Sequence, residues 1–154
     1  RRGRVAHVRA RDSYQTLQRP PRACRASFIE FGHSTGGSER IGTWSPAGDN
    51  WRDFVKTTET RRMLGIDVES PNPEDLAAHW SKIIETPLTR DNGDPLLRFE
   101  DGTIRFVKGE TECLGTINIE VTDPARTMAR AVARGHRIEG DRFHMAGVYF
   151  RVTG

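Results

Sequence analysis

The sequence predicts an α+β fold of curled mixed β-sheets built from β-α-β-β modules, on three observations. Two stretches that alternate like strands, "LGIDVES" at 64–70 and "LGTINIEV" at 114–121, each run into an Asx-Pro pair, Asn72-Pro73 and Asp123-Pro124. Each pair opens a segment whose apolar residues recur at helical spacing. Each segment is followed by strands that finish on a glycine-led stretch, "GTIRFV" at 102–107 and "GVYFRV" at 147–152. Two copies of one unit, each about fifty residues long, therefore account for residues 62–154, which are expected to form a complete two-module domain.

From the front, the chain opens with a partial copy. "RRGRVAHVRA" has the pattern of the later "ARGHRIEGDR", and "RASFIEFG" at 25–32 stands where "GTIRFVKG" and "GVYFRVTG" stand in the complete copies. If Gly3 corresponds to Gly135, the chain begins at the end of a helix. Residues 1–44 are then expected to be the C-terminal remnant of a first domain in a longer protein, with about 80 residues upstream. Residues 45–61 are expected to be a linker. "GTWSPAGDNW" at 42–51 fits neither helix nor strand, and Trp44 and Trp51 read as apolar pins that fasten the segment to a sheet, with stacking on a ligand as the alternative.

In the first complete unit, Asn72 is the expected N-cap and Pro73 the first helical residue, with Leu76, Ala77, Trp80, Ile83 and Ile84 on the buried face. Two short strands follow, "PLLRFED" and "TIRFVKG", joined at the turn that Asp101-Gly102 favours. In the second unit Asp123 caps a helix that turns Met128, Ala131 and Val132 inward, and Gly135 suits its C-terminal end.

Composition narrows the function classes. With 24 basic and 21 acidic residues the net charge is +3, and 35% hydrophobic residues can supply a core. Only residues 1–25 are one-sided, with eight arginines against Asp12, and no aromatic platform accompanies them, so no nucleic-acid partner is expected. No apolar run approaches the roughly 18 residues that span a bilayer, and the opening residues lack the apolar core of a signal peptide, so no membrane partner and a cytoplasmic location are expected. Cys24 and Cys113 lack CxxC spacing and read as reduced thiols. A domain with a module missing exposes sheet edges, for which pairing into a homodimer is the expected remedy.

Paired β-α-β-β units whose helices start at Asx-Pro and whose last strands follow glycine resemble the vicinal oxygen chelate superfamily, which includes glyoxalases, extradiol dioxygenases and bleomycin-resistance proteins. The front of the chain, "RPPRACRASFIEFGHSTGG" and "GTWSPAGDNW", resembles a glyoxalase-like subgroup with tandem domains. The resemblance implies that two modules form a cup around one divalent metal, Zn, Ni, Mn or Fe. Its ligands would be a His early on a first strand and a Glu late on a last strand, and the reaction would be on a small carbonyl or oxygenated compound.

Carried onto residues 62–154, the implied His positions fall on Gly65 or Ile66 and on Thr116, and the Glu positions on Phe106 and Arg151; no metal is expected there. Glu30 in "SFIEFG" is the matching carboxylate, the candidate catalytic and metal-binding residue, with His7 and His33 as candidate co-ligands. By alternation Glu30 leaves the strand opposite Ile29 and Phe31, into a polar cup or into solvent. His144 and Arg151, with Trp44 and Trp51, are the candidate ligand-binding residues, the first two suited to an anion such as a carboxylate. Two functions follow: a divalent-metal enzyme centred on Glu30, or a non-catalytic module that binds or sequesters a small molecule.

Overall fold

The computed structural model describes residues 7–11, 14–38 and 42–154. Two compact units divide between Val55 and Lys56. Gly3, on which the expected helix end rests, lies outside the described residues.

The first unit carries an antiparallel three-stranded sheet in the order β1 (His7–Arg11), β2 (Tyr14–Arg19), β3 (Ile29–Ser34). One helical turn, α1 (Pro21–Cys24), connects β2 to β3 and buries Cys24 completely. Beyond β3 the chain makes two 3-10 turns, Ser45–Ala47 and Trp51–Phe54, the irregular conformation that Pro46 and Gly48 impose. Neither Cys24 nor Cys113 forms a disulfide.

The second unit is one eight-stranded mixed sheet with two helices. Its first module runs β4 (Thr60–Ser70), α2 (Pro73–Ile84), β5 (Leu88–Asp91), β6 (Asp94–Arg98) and β7 (Thr103–Lys108). The second runs β8 (Cys113–Val121), α3 (Pro124–Ala133), β9 (Ile138–Glu139), β10 (Arg142–Met145) and β11 (Val148–Thr153). Spatial order is β5-β6-β7-β4-β8-β11-β10-β9. β4 and β8 lie antiparallel at the centre, and each is flanked by the last strand of its own module in parallel. Each module is thus β-α-β-β-β, one strand more than the sequence pattern suggested. The extra strands are a four-residue run exposed throughout and a two-residue run, too short to show alternation.

Both helices start as their sequences dictate. Asn72 accepts from the Asp75 N–H at 3.3 Å and Asp123 from the Arg126 N–H at 2.9 Å, each before a proline that has no N–H to leave unpaired. α2 buries Leu76, Ala77 and Trp80 against Val68, Leu97 and Phe106, where the Trp80 indole meets the Phe106 ring edge-on at 5.6 Å. α3 covers Val121, Phe143 and Val152 with Met128 and Ala131, while Val132, expected inward, lies one position past Ala131 on the helix and is exposed. By strand alternation these core residues share one face of the sheet, and Asp67, Arg105, Thr116, Asn118 and Arg151 occupy the other, which carries no helix. No described helix is long and apolar enough to cross a membrane.

Candidate functional site

The helix-free face of the second unit is built by six positions on four strands. Gly65 and Asp67 come from β4, Arg105 from β7, Thr116 and Asn118 from β8, and Arg151 from β11. The parallel registers set Asp67 beside Arg105 and Asn118 beside Arg151, so the two modules contribute matching acceptor and guanidinium pairs.

Asp67 is the hub, its side chain 4% exposed. Arg105 donates twice to it, from Nε to Oδ1 at 3.2 Å and from Nη2 to Oδ2 at 2.8 Å, the planar two-pronged geometry of a strong charged hydrogen bond. Arg151 Nη1 donates to Oδ2 at 2.6 Å and to Asn118 Oδ1 at 3.0 Å, while Asn118 Nδ2 donates to Oδ1 at 3.0 Å. Burial pushes the Asp67 carboxyl up, but the bonds from Arg105, Arg151 and Asn118 outweigh it and hold the group below the usual carboxylate range. Arg105 is held above the usual guanidinium value by its bond to Asp67.

The network floors a cleft of about 420 Å3, within the range of small-ligand sites. Leu64 and Leu96 give it apolar wall, and Arg98 and Asp91 stand at its margin. The Arg98 guanidinium forms no hydrogen bond or ion pair among the described residues. Three guanidiniums, from Arg98, Arg105 and Arg151, line the cleft with the carboxylates of Asp67 and Asp91, and Arg151 also pairs through Nε with Asp141 at 3.1 Å, which leaves its Nη2 free of a protein partner among the described residues. Further along the same face, Tyr149 donates to Glu139 and accepts from Arg137, with the Arg142 guanidinium 4.2 Å from its ring centroid.

Gly65 can be nothing larger. Its φ of +152° suits glycine, and a Cβ there would collide with the carbonyl oxygen of Thr103 on the adjacent parallel strand. No histidine fits at that position, and Ile66 turns to the helix-covered face. Phe106, the other implied ligand position, is fully buried against Trp80, so β7 presents Arg105 to the cleft. That is a correction by one residue, and on a strand one residue changes the face.

Of the residues singled out in the sequence, Arg151 joins this network. His144 lies on the same face, its ring edge-on to Tyr149 at 5.2 Å, while its backbone carbonyl accepts from His136 Nδ1 at 3.1 Å. In the first unit Glu30 is exposed and accepts from Gln18 Nε2 at 2.5 Å and Tyr14 Oη at 3.1 Å. The Gln18 bond is the main reason its carboxyl sits below the usual range. His7 pairs with Gln18, which pairs with Glu30, so His7 and Glu30 share one row of the sheet with a strand between them. His33 is three positions from Glu30 on an unbroken strand and leaves the opposite face. Trp44 stands edge-on to Tyr14 at 5.1 Å and packs over Gly32, as a pin on the sheet of its own unit. Trp51 carries the Arg52 guanidinium 4.5 Å from its ring centroid.

Asp67, Arg105 and Asn118 were not singled out in the sequence. Aligning the two units at Asn72-Pro73 and Asp123-Pro124, instead of at Leu64-Gly65 and Leu114-Gly115, sets Asp67 on Asn118 and is the signal that picks out those two; Arg105 matches Arg151 only through the strand registers.

No family model matches the sequence, and no curated protein does. Among solved structures, a hypothetical protein from Staphylococcus aureus superposes with a TM-score of 0.58 at 12% identity, over 99% of this chain and 57% of that one. A glyoxalase I mutant from Zea mays superposes with a TM-score of 0.49 at 12% identity, over 97% of this chain and 58% of that one. The first likeness shows a shared fold and nothing of chemistry, and the second, weaker one adds nothing to it. The chain spans little more than half the length of either structure, and it is an α+β protein of mixed sheets built from paired modules.

Proposed function

We propose that this chain belongs to a glyoxalase-like protein whose second unit binds a small carboxylate in the helix-free cleft without a metal. The observation that carries the reading is the Asp67–Arg105–Asn118–Arg151 network. A divalent cation does not fit this donor set. Its one buried carboxylate already has both oxygens engaged by guanidiniums, and those cations would repel another. What the face does offer is spare guanidinium donors on Arg105 and Arg151, each 24% exposed, beside Arg98, whose guanidinium has no partner among the described residues. Asp67 holds the two buried-side guanidiniums rigid, so a ligand carboxylate meets pre-positioned donors and costs little ordering.

The test is a calorimetric titration with pyruvate, using pyruvamide as its neutral counterpart. Pyruvate binds and pyruvamide binds at least about tenfold more weakly, as expected for loss of a charged hydrogen bond. Arg98→Gln weakens pyruvate alone. Equal affinity for the two compounds overturns the reading.

A second reading, a divalent-metal enzyme acting on a small carbonyl compound, rests on Glu30. Glu30 is an exposed carboxylate on the sheet of the first unit with Tyr14 on Oε1 and Gln18 on Oε2, donors that a metal would displace. Glu30 would supply one oxygen ligand, and the metal would polarise the substrate oxygens as a Lewis acid. Metal content of the full-length protein beside Glu30→Ala decides it: stoichiometric metal lost in the variant supports the enzyme, and equal content in both sinks it.

A further inference from the structure

The two modules match at their helix starts and diverge along the buried helix face, where two large residues of the first module become small in the second. Counted from the N-caps Asn72 and Asp123, the fourth residue is Leu76 in α2 and Thr127 in α3, and the eighth is Trp80 in α2 and Ala131 in α3. Leu76 and Trp80 are buried and fill the space between α2 and its strands. Thr127 and Ala131 are too small to do the same, and part of the space is taken by Met128, where the first module has Ala77, and by Phe143 and Phe150, where it has Leu97 and Ile104. Beside α3 there is a pocket of about 310 Å3, lined by Thr127, Ala131, Phe143 and His136, with Arg130, Arg134 and Glu59 also contributing to it. It lies on the helix-covered face, away from the arginine cleft, and the reading drawn from it does not depend on that cleft.

Space of this kind inside a module is normally filled, because close packing is what holds a helix on a sheet. Its walls are flat and apolar at the base. Phe143 stacks on Phe150 at 5.5 Å, and the His136 ring lies 5.8 Å from Phe143. Its rim is cationic. Glu59 is already shared by Arg126 at 3.0 Å and Arg130 at 3.4 Å, and the Arg134 guanidinium has no partner among the described residues. The His136 Nδ1 donates to the His144 carbonyl, which leaves Nε2 for a ligand.

We propose that this pocket is a second binding site, for a small planar aromatic carboxylate. The ring lies against Phe143 and His136 beside the small Thr127 and Ala131, and the carboxylate meets Arg134 and Arg130. The occupant's shape comes from the flat aromatic lining of Phe143 and His136, and its charge from the rim.

The test uses indole-3-acetate on the full chain, followed by ligand-observed NMR, with indole-3-acetamide and acetate as comparisons. Indole-3-acetate binds, the amide binds at least about tenfold more weakly, and acetate does not bind measurably. Arg134→Gln, an exposed change, lowers affinity for the acid about tenfold and leaves the amide unchanged. Ala131→Trp fills the pocket from inside the chain and abolishes binding while the protein stays folded by circular dichroism. Pyruvate does not displace the ligand, which separates this site from the cleft. Absence of binding to the wild type, equal binding of acid and amide, or full binding to a folded Ala131→Trp protein overturns the proposal. If Ala131→Trp does not fold, Ala131→Leu replaces it, and the comparison of acid with amide in Arg134→Gln decides.

Discussion

Arg151 Nη1 lies 2.6 Å from Asp67 Oδ2, joining the last strand of the chain to the first strand of its unit across 84 residues. The bond crosses β8, which lies between β4 and β11, so it ties the two modules together over their shared central pair. Asp67→Asn removes the charge that both guanidiniums need and leaves Arg105 and Arg151 close together. The expected loss is about 3 kcal/mol in urea denaturation, the scale found when one partner of a largely buried pair is removed. A double-mutant cycle with Arg151→Gln gives a coupling of about 1 kcal/mol or more.

The same carboxylate sets a pH dependence. The folded Asp67 carboxyl titrates below its unfolded value, so in acid the unfolded chain binds the proton first. Its contribution is complete above the unfolded value near about 3.9 and is lost as pH falls through the lower folded value. Denaturation midpoints of wild type and Asp67→Asn therefore differ most at neutral pH and converge below about pH 4. A gap that stays constant into acid contradicts this assignment.

Gly65→Ala strains the centre of the sheet. The added methyl meets the Thr103 backbone, which cannot move without breaking the β4–β7 register. A loss of about 3 kcal/mol or more is expected, or failure to fold, read from the thermal midpoint.

Asn72→Ala and Asp123→Ala each remove one helix cap. Each costs about 1 kcal/mol, and because the caps serve separate helices the double variant costs their sum.

Local chemistry was legible in the sequence, and long-range pairing was not. Asn72-Pro73, Asp123-Pro124 and the glycine-led last strands announce two modules because caps and turns depend on residues within a few positions of one another. The Asn92-Gly93 turn, with φ of +50° and +94°, was the available signal for the β5–β6 hairpin, which the short exposed strand β5 could not give by itself. β4 begins at Thr60, two residues inside the expected linker, where Thr60 pairs with Val121 on β8 and Arg61 and Arg62 both reach Glu120. At the site, Arg151 was legible as a cation on a last strand. Its partner Asp67 was not, since nothing in either strand's own pattern records which residue faces it across a parallel and an antiparallel ladder.

The most direct test of the central claim is pyruvate titration of chelator-treated protein, repeated after Zn, Ni, Mn or Fe is returned. If arginines form the site, pyruvate binds with the same affinity before and after metal. Binding that appears only with the metal would contradict a cleft in which Arg105 and Arg151 take the cation's part.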